Sequence, residues 1–317
     1  MPLTNLPLRP LAVLGMAVFV FAGLGLYAGL TTQPRAVVDS SHSALVVVCS
    51  TTQIADFARQ VAGDRWQVRS ILASGQDPHL YEVRPGDAMV VAQASLCLEN
   101  GWHLEGGDWM RRLAQQAGKP IVACVEGVEP YRLTESDEEF EDPHAWFTIT
   151  NASIYVDNIV QALIVADPRH AGEYRERARL YKQQLTVLDR WIRDQFESIP
   201  EDRRVLVTSH DAFNYFCREY GLRPAAPVGW STTEEIGGGV TPERRAQVVA
   251  SIRSLGVKSV FVETSVNPKM IRVIAEEAGV TIGGELYSDS MGAAGTSGET
   301  YIGMMRENVL KIVEGLR

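Results

Sequence analysis

Histidine is scarce in this chain, six in 317 residues, so two that share one local context stand out. Cysteine is scarcer, at four. No two are spaced as C-x-x-C, which argues against a cysteine metal site. Positive charge is in the minority: 30 Lys and Arg stand against 39 Asp and Glu, a net charge of −9. With no basic stripe either, nucleic acid is excluded as a partner. There is no H-E-x-x-H metalloprotease motif. Gly237-Gly238-Gly239 lacks the lysine and spacing of a phosphate cradle and reads as a flexible loop or hinge. Ser209-His210-Asp211 is not a catalytic triad, because adjacent residues cannot form the relay geometry.

One long hydrophobic run is present. Leu11 to Leu30 carries no charge, with Arg9 before it and Arg35 after. That reads as a secretory signal or an uncleaved membrane anchor. No clear A-x-A cleavage site follows, and no cysteine lies near its end to carry a lipid. Residues 1–43 are therefore expected to be an export segment plus a tether, with His42 solvated in the tether. In an exported chain Cys49, Cys97, Cys124 and Cys217 could be buried thiols or disulfides.

The whole chain has the 45% hydrophobic and 22% charged content of a soluble globular protein. Its length suits two domains. Short apolar runs at 44–49, 66–72, 96–99 and 120–124 alternate with helical patterns at 52–62 and 85–94. A helix is expected over 154–166, and a long one over 171–196. In the long one Tyr174, Leu180, Tyr181, Leu185, Leu188, Trp191 and Ile192 make an apolar stripe. The alternation resumes with strands at 204–208, 257–263 and from 281, and helices at 211–220, from 241, 269–278 and 300–314. The pattern predicts an α/β fold of two lobes, each a mainly parallel sheet flanked by helices, joined by one long backbone helix. The divisions are 44–150 for the first lobe, 151–202 for the linker region and 203–317 for the second lobe.

The tripeptide Asp-Pro-His occurs twice, at Asp77-Pro78-His79 and Asp142-Pro143-His144. Proline fixes its own φ and pushes the residue before it into extended backbone, so each tripeptide is a stiff turn that can present a histidine. Imidazole is the commonest protein ligand for divalent metals. Two unrelated turns with exposed histidines are the alternative. Both tripeptides follow predicted strands, where ligands bind in open parallel sheets. His210 and Asp289 hold the same strand-end position in the second lobe. A set of His79, His144, His210 and Asp289 offers three nitrogens and one carboxylate, which suits zinc and could hold manganese or iron(II). His103 also follows a strand and is a reserve ligand. His170 opens the long helix and reads as surface. The acidic stretch from Glu135 to Asp142 reads as a solvated loop.

These motifs resemble the cluster A-I metal-binding solute-binding proteins of ABC importers for zinc and manganese. The resemblance covers residues 44 to 317. It rests on Asp77 to Glu82 (DPHLYE), Asp142 to Trp146 (DPHAW), Thr208 to Phe216 (TSHDAFNYF) and Gly284 to Gly292 (GELYSDSMG), in that order. It implies two α/β lobes on a backbone helix and one divalent cation bound between them by His79, His144, His210 and Asp289. It further implies delivery to an ABC permease, a periplasmic or extracytoplasmic location and a monomeric receptor without catalytic activity. There are two departures. Zinc-specialised members carry a histidine-rich loop before the second histidine, where this chain is acidic. Many manganese-specialised members have glutamate where this chain has His210. Zinc and manganese both stay open.

Four protein ligands close a coordination shell and leave no position for a reactive water. Neutral histidines are required, so affinity is expected to fall as pH drops through about 6.5. The long helix is expected to limit closure to small motions. The rival readings are a secreted metallohydrolase using Glu82 or Glu263 as base, and a surface adhesin with a structural metal.

Overall fold

The segment LVVVC forms strand β1 (Leu45–Cys49), nearly all of it buried. β-Branched residues buried on both faces mark the centre of a parallel sheet. The computed structural model describes residues 45–135, 138–225, 241–265 and 268–317. The expected export segment and tether with His42, and the triple glycine at 237–239, lie outside the described residues.

β1 is followed by α1 (Thr52–Ala62), whose first turn is capped by the Thr51 side chain accepting from the Ile54 N–H. Next come β2 (Trp66–Ser70), α2 (Pro85–Ala92), β3 (Leu96–Glu99), α3 (Trp109–Gln116) and β4 (Ile121–Ala123). The four strands form one sheet in the order β2-β1-β3-β4, parallel throughout. α3 was not foreseen. Its eight residues, WMRRLAQQ, bury Trp109, Met110, Leu113 and Ala114, a helical pattern too short to read against its polar neighbours. The acidic stretch is not a plain loop. β5 (Arg132–Glu135) and β6 (Glu138–Glu141) pair antiparallel, with Leu133 opposite Phe140.

α4 (Ile149–Ala166) starts five residues earlier than its apolar pattern suggested, because Thr148 caps it by accepting from the Asn151 N–H. It is long and apolar enough to cross a membrane, but half of it is buried inside the fold. The long helix, α5 (Ala171–Glu197), has 27 residues and spans roughly 40 Å. Its buried face is Tyr174, Ala178, Tyr181, Leu185, Leu188, Ile192 and Phe196. Leu180, expected in that stripe, is 46% exposed; Ala178 holds the inward position.

The second half has β7 (Val205–Val207), α6 (Asn214–Tyr220), β8 (Arg223–Ala225), α7 (Pro242–Leu255), β9 (Ser259–Glu263), α8 (Pro268–Ala278), β10 (Thr281–Leu286) and α9 (Tyr301–Leu316). Its strands are parallel as expected. Among the described residues they pair as two separate two-stranded sheets, β7 with β8 and β9 with β10.

One apolar core joins both halves around α5. It includes Val47, Leu98, Phe57 and Tyr155 from the first half, Tyr181 and Leu185 from α5, and Phe216, Met304 and Val309 from the second. Phe57 is its pivot: its ring lies 6.2 Å from Tyr155, 6.3 Å from Tyr181 and 4.8 Å from Tyr301. All four cysteines are buried free thiols. Burial holds the Cys97 thiol up to about 11, so it is an inert core residue.

Candidate functional site

The two Asp-Pro-His tripeptides fold alike. In each, the Asp Oδ1 accepts from the histidine N–H two residues on, at 2.7 Å for Asp77 and His79 and 3.0 Å for Asp142 and His144. This is the local Asx turn that such sequences favour. The surroundings then differ. The Pro78 carbonyl accepts from Trp109 Nε1 at 3.0 Å. Gly106 packs so close to His79 that a Cβ there would lie 2.0 Å from the His79 carbonyl oxygen. The Pro143 carbonyl accepts from Asn100 Nδ2 at 3.0 Å, and Asn100 Oδ1 accepts from the Tyr155 hydroxyl at 2.7 Å. Asp142 also reaches the ring: its Oδ1 is 2.7 Å from His144 Nδ1.

His210 lies between β7 and α6. Its backbone N–H donates to Glu263 Oε1 at 2.9 Å, and its carbonyl accepts from Thr208 Oγ1 at 2.9 Å. Asp289 follows β10 in a segment bound to the first half of the chain. Gln53 Nε2 donates to the Ser288 carbonyl, the Gly75 N–H to Ser290 Oγ, and the Met291 N–H to Thr52 Oγ1.

These placements bring His79, His144, His210 and Asp289 together, with one potential ligand atom from each within 4.8 Å of all the others. His144 Nε2 sits 3.2 Å from His79 Nε2 and 3.4 Å from His210 Nε2. Asp289 Oδ1 is 3.3 Å from His144 Nε2 and 4.0 Å from His79 Nε2, and Oδ2 is 3.4 Å from His210 Nε2. A tetrahedral ion with bonds of about 2.0–2.1 Å sets its ligand atoms about 3.3 Å apart. Asp289 Oδ1 is buried and has no hydrogen-bond partner. A buried carboxylate with one orphaned oxygen, facing three imidazole nitrogens, is the donor set of a cation site. The His79 side chain is 19% exposed, against 1–5% for the other three, so it forms the solvent side of the cluster.

The electrostatics favour positive charge. Burial opposes protonation of His144, but the Asp142 and Asp289 carboxylates outweigh it and hold the imidazole up at about 9. Burial likewise opposes charge on His210, and Glu263 and Asp289 overcome it. Asp289 would be raised by burial, yet His210 and His144 hold it well below the usual carboxylate range. His79 is pushed down to about 3, chiefly by burial. Where no metal ion is bound, protons on His144 and His210 balance the buried carboxylates, a role that a divalent cation can take over.

The other histidines of the described residues stand apart. His103 is largely exposed, 3.4 Å from Asp108, and is not in the cluster. Trp102, His103 and Asp108 have φ of 50°, 59° and 56°. His170 pairs with Asp167 at 2.6 Å at the start of α5. Glu82 is exposed. Reading the sequence did not find the supporting roles of Asn100, Trp109 and Glu263. The one available signal was a charged residue, Glu263, closing the apolar run of β9.

Residues 47–315 match the family described as the zinc-uptake complex component A, periplasmic. The manganese-binding lipoprotein MntA of Bacillus subtilis (strain 168) is 39% identical over 286 residues, 88% of this chain and 92% of that protein. Among solved structures, the periplasmic zinc-binding protein TroA of Treponema pallidum superposes with a TM-score of 0.78 at 33% identity, covering 86% of this chain and 99% of that one. A manganese-bound periplasmic metal-binding protein from candidatus Liberibacter asiaticus superposes with a TM-score of 0.74 at 28% identity, covering 86% and 100%.

Proposed function

The chain belongs to the periplasmic component A family of the zinc-uptake complex, and on that premise we propose that it captures a divalent transition-metal cation and hands it to an ABC permease. The ligands are His79, His144, His210 and Asp289. The observation that carries the reading is the buried Asp289 carboxylate, one oxygen of it unpartnered, within 4.0 Å of the Nε2 atoms of three histidines. The named relatives bind manganese or zinc, and both cations are candidates here. Intrinsic affinity follows an order that places zinc above manganese, and site geometry, ligand type and metal supply together decide occupancy.

Residues 1–43 act in this reading as export segment or anchor. Residues 44–150 and 203–317 are the two lobes, and 151–202 carries the backbone helix between them. The protein works outside the cytoplasm as a monomer. A hydrolase would need a free base beside an open coordination position. Glu82 is exposed, and the Glu263 carboxylate is engaged by Ser209 and His210, which favours capture over catalysis.

Two measurements test this. Elemental analysis with native mass spectrometry of protein purified from its own host should find one zinc or manganese per chain. His210→Ala should lose more than about 100-fold in affinity, since removing even an outer partner of a metal-bound histidine costs 10–100-fold. An unchanged affinity in that variant would remove His210 from the site.

A further inference from the structure

Glu263 closes β9 as a fully buried carboxylate. Its Oε1 accepts from Ser209 Oγ and from the His210 N–H, both at 2.9 Å. Its Oε2 lies 2.6 Å from His210 Nδ1. Neither Oε2 nor Nδ1 has any other hydrogen-bond partner, so this end of the imidazole and this oxygen have only each other. The backbone, the preceding side chain and the ring of the His210 segment are thus all gripped by one carboxylate.

We propose that Glu263 is the positioning residue that fixes the tautomer and ring orientation of His210, and so makes the third histidine ligand depend on the placement of β9. This rests on the metal-receptor reading above. With Nδ1–H directed at Oε2, the lone pair of Nε2 faces the cluster and can bind a cation. The arrangement at His144 differs in one respect. Its Nδ1 partner, Asp142, comes from two residues away in the same turn, whereas Glu263 is 53 residues from His210. His144 carries its orienting group with it. His210 has its own only while the end of β9 stays against the segment that follows β7. A displacement of β9 would loosen His210 and, through the β9–β10 pairing, the Asp289 segment, while His79 and His144 stay with the first half of the chain, which gives the receptor a route to lower its affinity from one side of the site.

Glu263→Gln separates positioning from packing. Glutamine keeps the shape and can still accept from Ser209 and the His210 N–H. Its amide nitrogen, facing Nδ1, donates where the carboxylate accepted, so the ring must place its proton on Nε2, the metal-binding atom. Zinc affinity by chelator competition is expected to fall about 10–100-fold, while circular dichroism finds the metal-free variant folded as wild type. The visible spectrum of the cobalt(II)-loaded variant is expected to shift toward that of His210→Ala. In the zinc-loaded wild type, nitrogen NMR of labelled histidine is expected to find His210 protonated at Nδ1 and metal-bound at Nε2. This second measurement decides the matter if E263Q does not fold. Wild-type affinity and spectrum in E263Q, or metal at Nδ1 of His210, would overturn the proposal. If wild type itself bound no zinc, manganese or cobalt, the receptor reading would fail instead. Tight wild-type binding that H210A weakens and E263Q does not would remove only the role of Glu263.

Discussion

Gln53 Nε2 donates to the Ser288 carbonyl at 2.9 Å, joining residues 235 positions apart. It is one strand of a seam. The Gly75 N–H donates to Ser290 Oγ at 2.8 Å, the Met291 N–H to Thr52 Oγ1 at 2.9 Å, and Ser74 Oγ to the Met291 carbonyl at 2.7 Å. Asp289 is thus flanked on both sides by bonds to the first half of the chain. The carboxylate that faces His79 and His144 is held by the part of the fold that supplies them.

The seam makes a prediction about affinity without touching a ligand. The double variant Thr52→Ala with Ser74→Ala removes two of these bonds. At about 0.5–1.5 kcal/mol each, stability should fall by roughly 1–3 kcal/mol. Freeing the Asp289 segment should also weaken zinc binding, as read by calorimetric titration. Reduced stability with wild-type affinity would mean that β10 alone positions Asp289.

Metal uptake should release protons, and affinity should rise with pH. A protonated Nε2 cannot bind metal, and the metal-free site holds His144 up at about 9 and His210 above its ordinary value. The loss on acidification therefore begins well above the 6.5 of a free histidine. Titrations in buffers of different ionisation enthalpy measure the protons released; none released near pH 7 would contradict this. For the metal-free fold the sign reverses. A raised histidine gives its full stabilisation below 6.5, and that contribution is lost as pH rises through about 9. Alkaline conditions should therefore weaken the empty protein while favouring the loaded one.

Phe57→Ala should destabilise the whole unit. Phe57 is fully buried and touches rings from α4, α5 and α9. Large-to-small changes of this kind cost about 3–5 kcal/mol. The urea midpoint should drop accordingly, with calorimetry recording a single transition, because one core runs through both halves. A cost under about 1 kcal/mol, or unfolding in two separate steps, would show that the halves do not share that core.

Some of this was open to reading from the chain alone, for local reasons. The Asx turns of both Asp-Pro-His tripeptides form within three residues, and the length of α5 follows from its own period. The buried side of α5 was only half legible. Leu180 is more apolar than Ala178, yet Ala178 faces inward, because it lies four residues after Tyr174 and three before Tyr181 while Leu180 falls off that face. β5 and β6 were hidden because acidic residues have poor strand propensity and their pairing depends on the opposite strand. Glu263 could be seen as an odd charge at a strand end, but its partner, His210, lies 53 residues away in the segment after β7.

The sequence by itself determined which residues offer ligand atoms, and that each follows a strand, since ligand chemistry and strand patterning are properties of short segments. Only the tertiary structure decided that nitrogens 65 and 66 residues apart meet within 3.2 and 3.4 Å, and that Asp289 joins them. The reason is physical. Closing such long loops costs entropy that no local segment recovers. The shared core around α5 and the hydrogen-bonded seam offset it, and both exist only once the whole chain has folded.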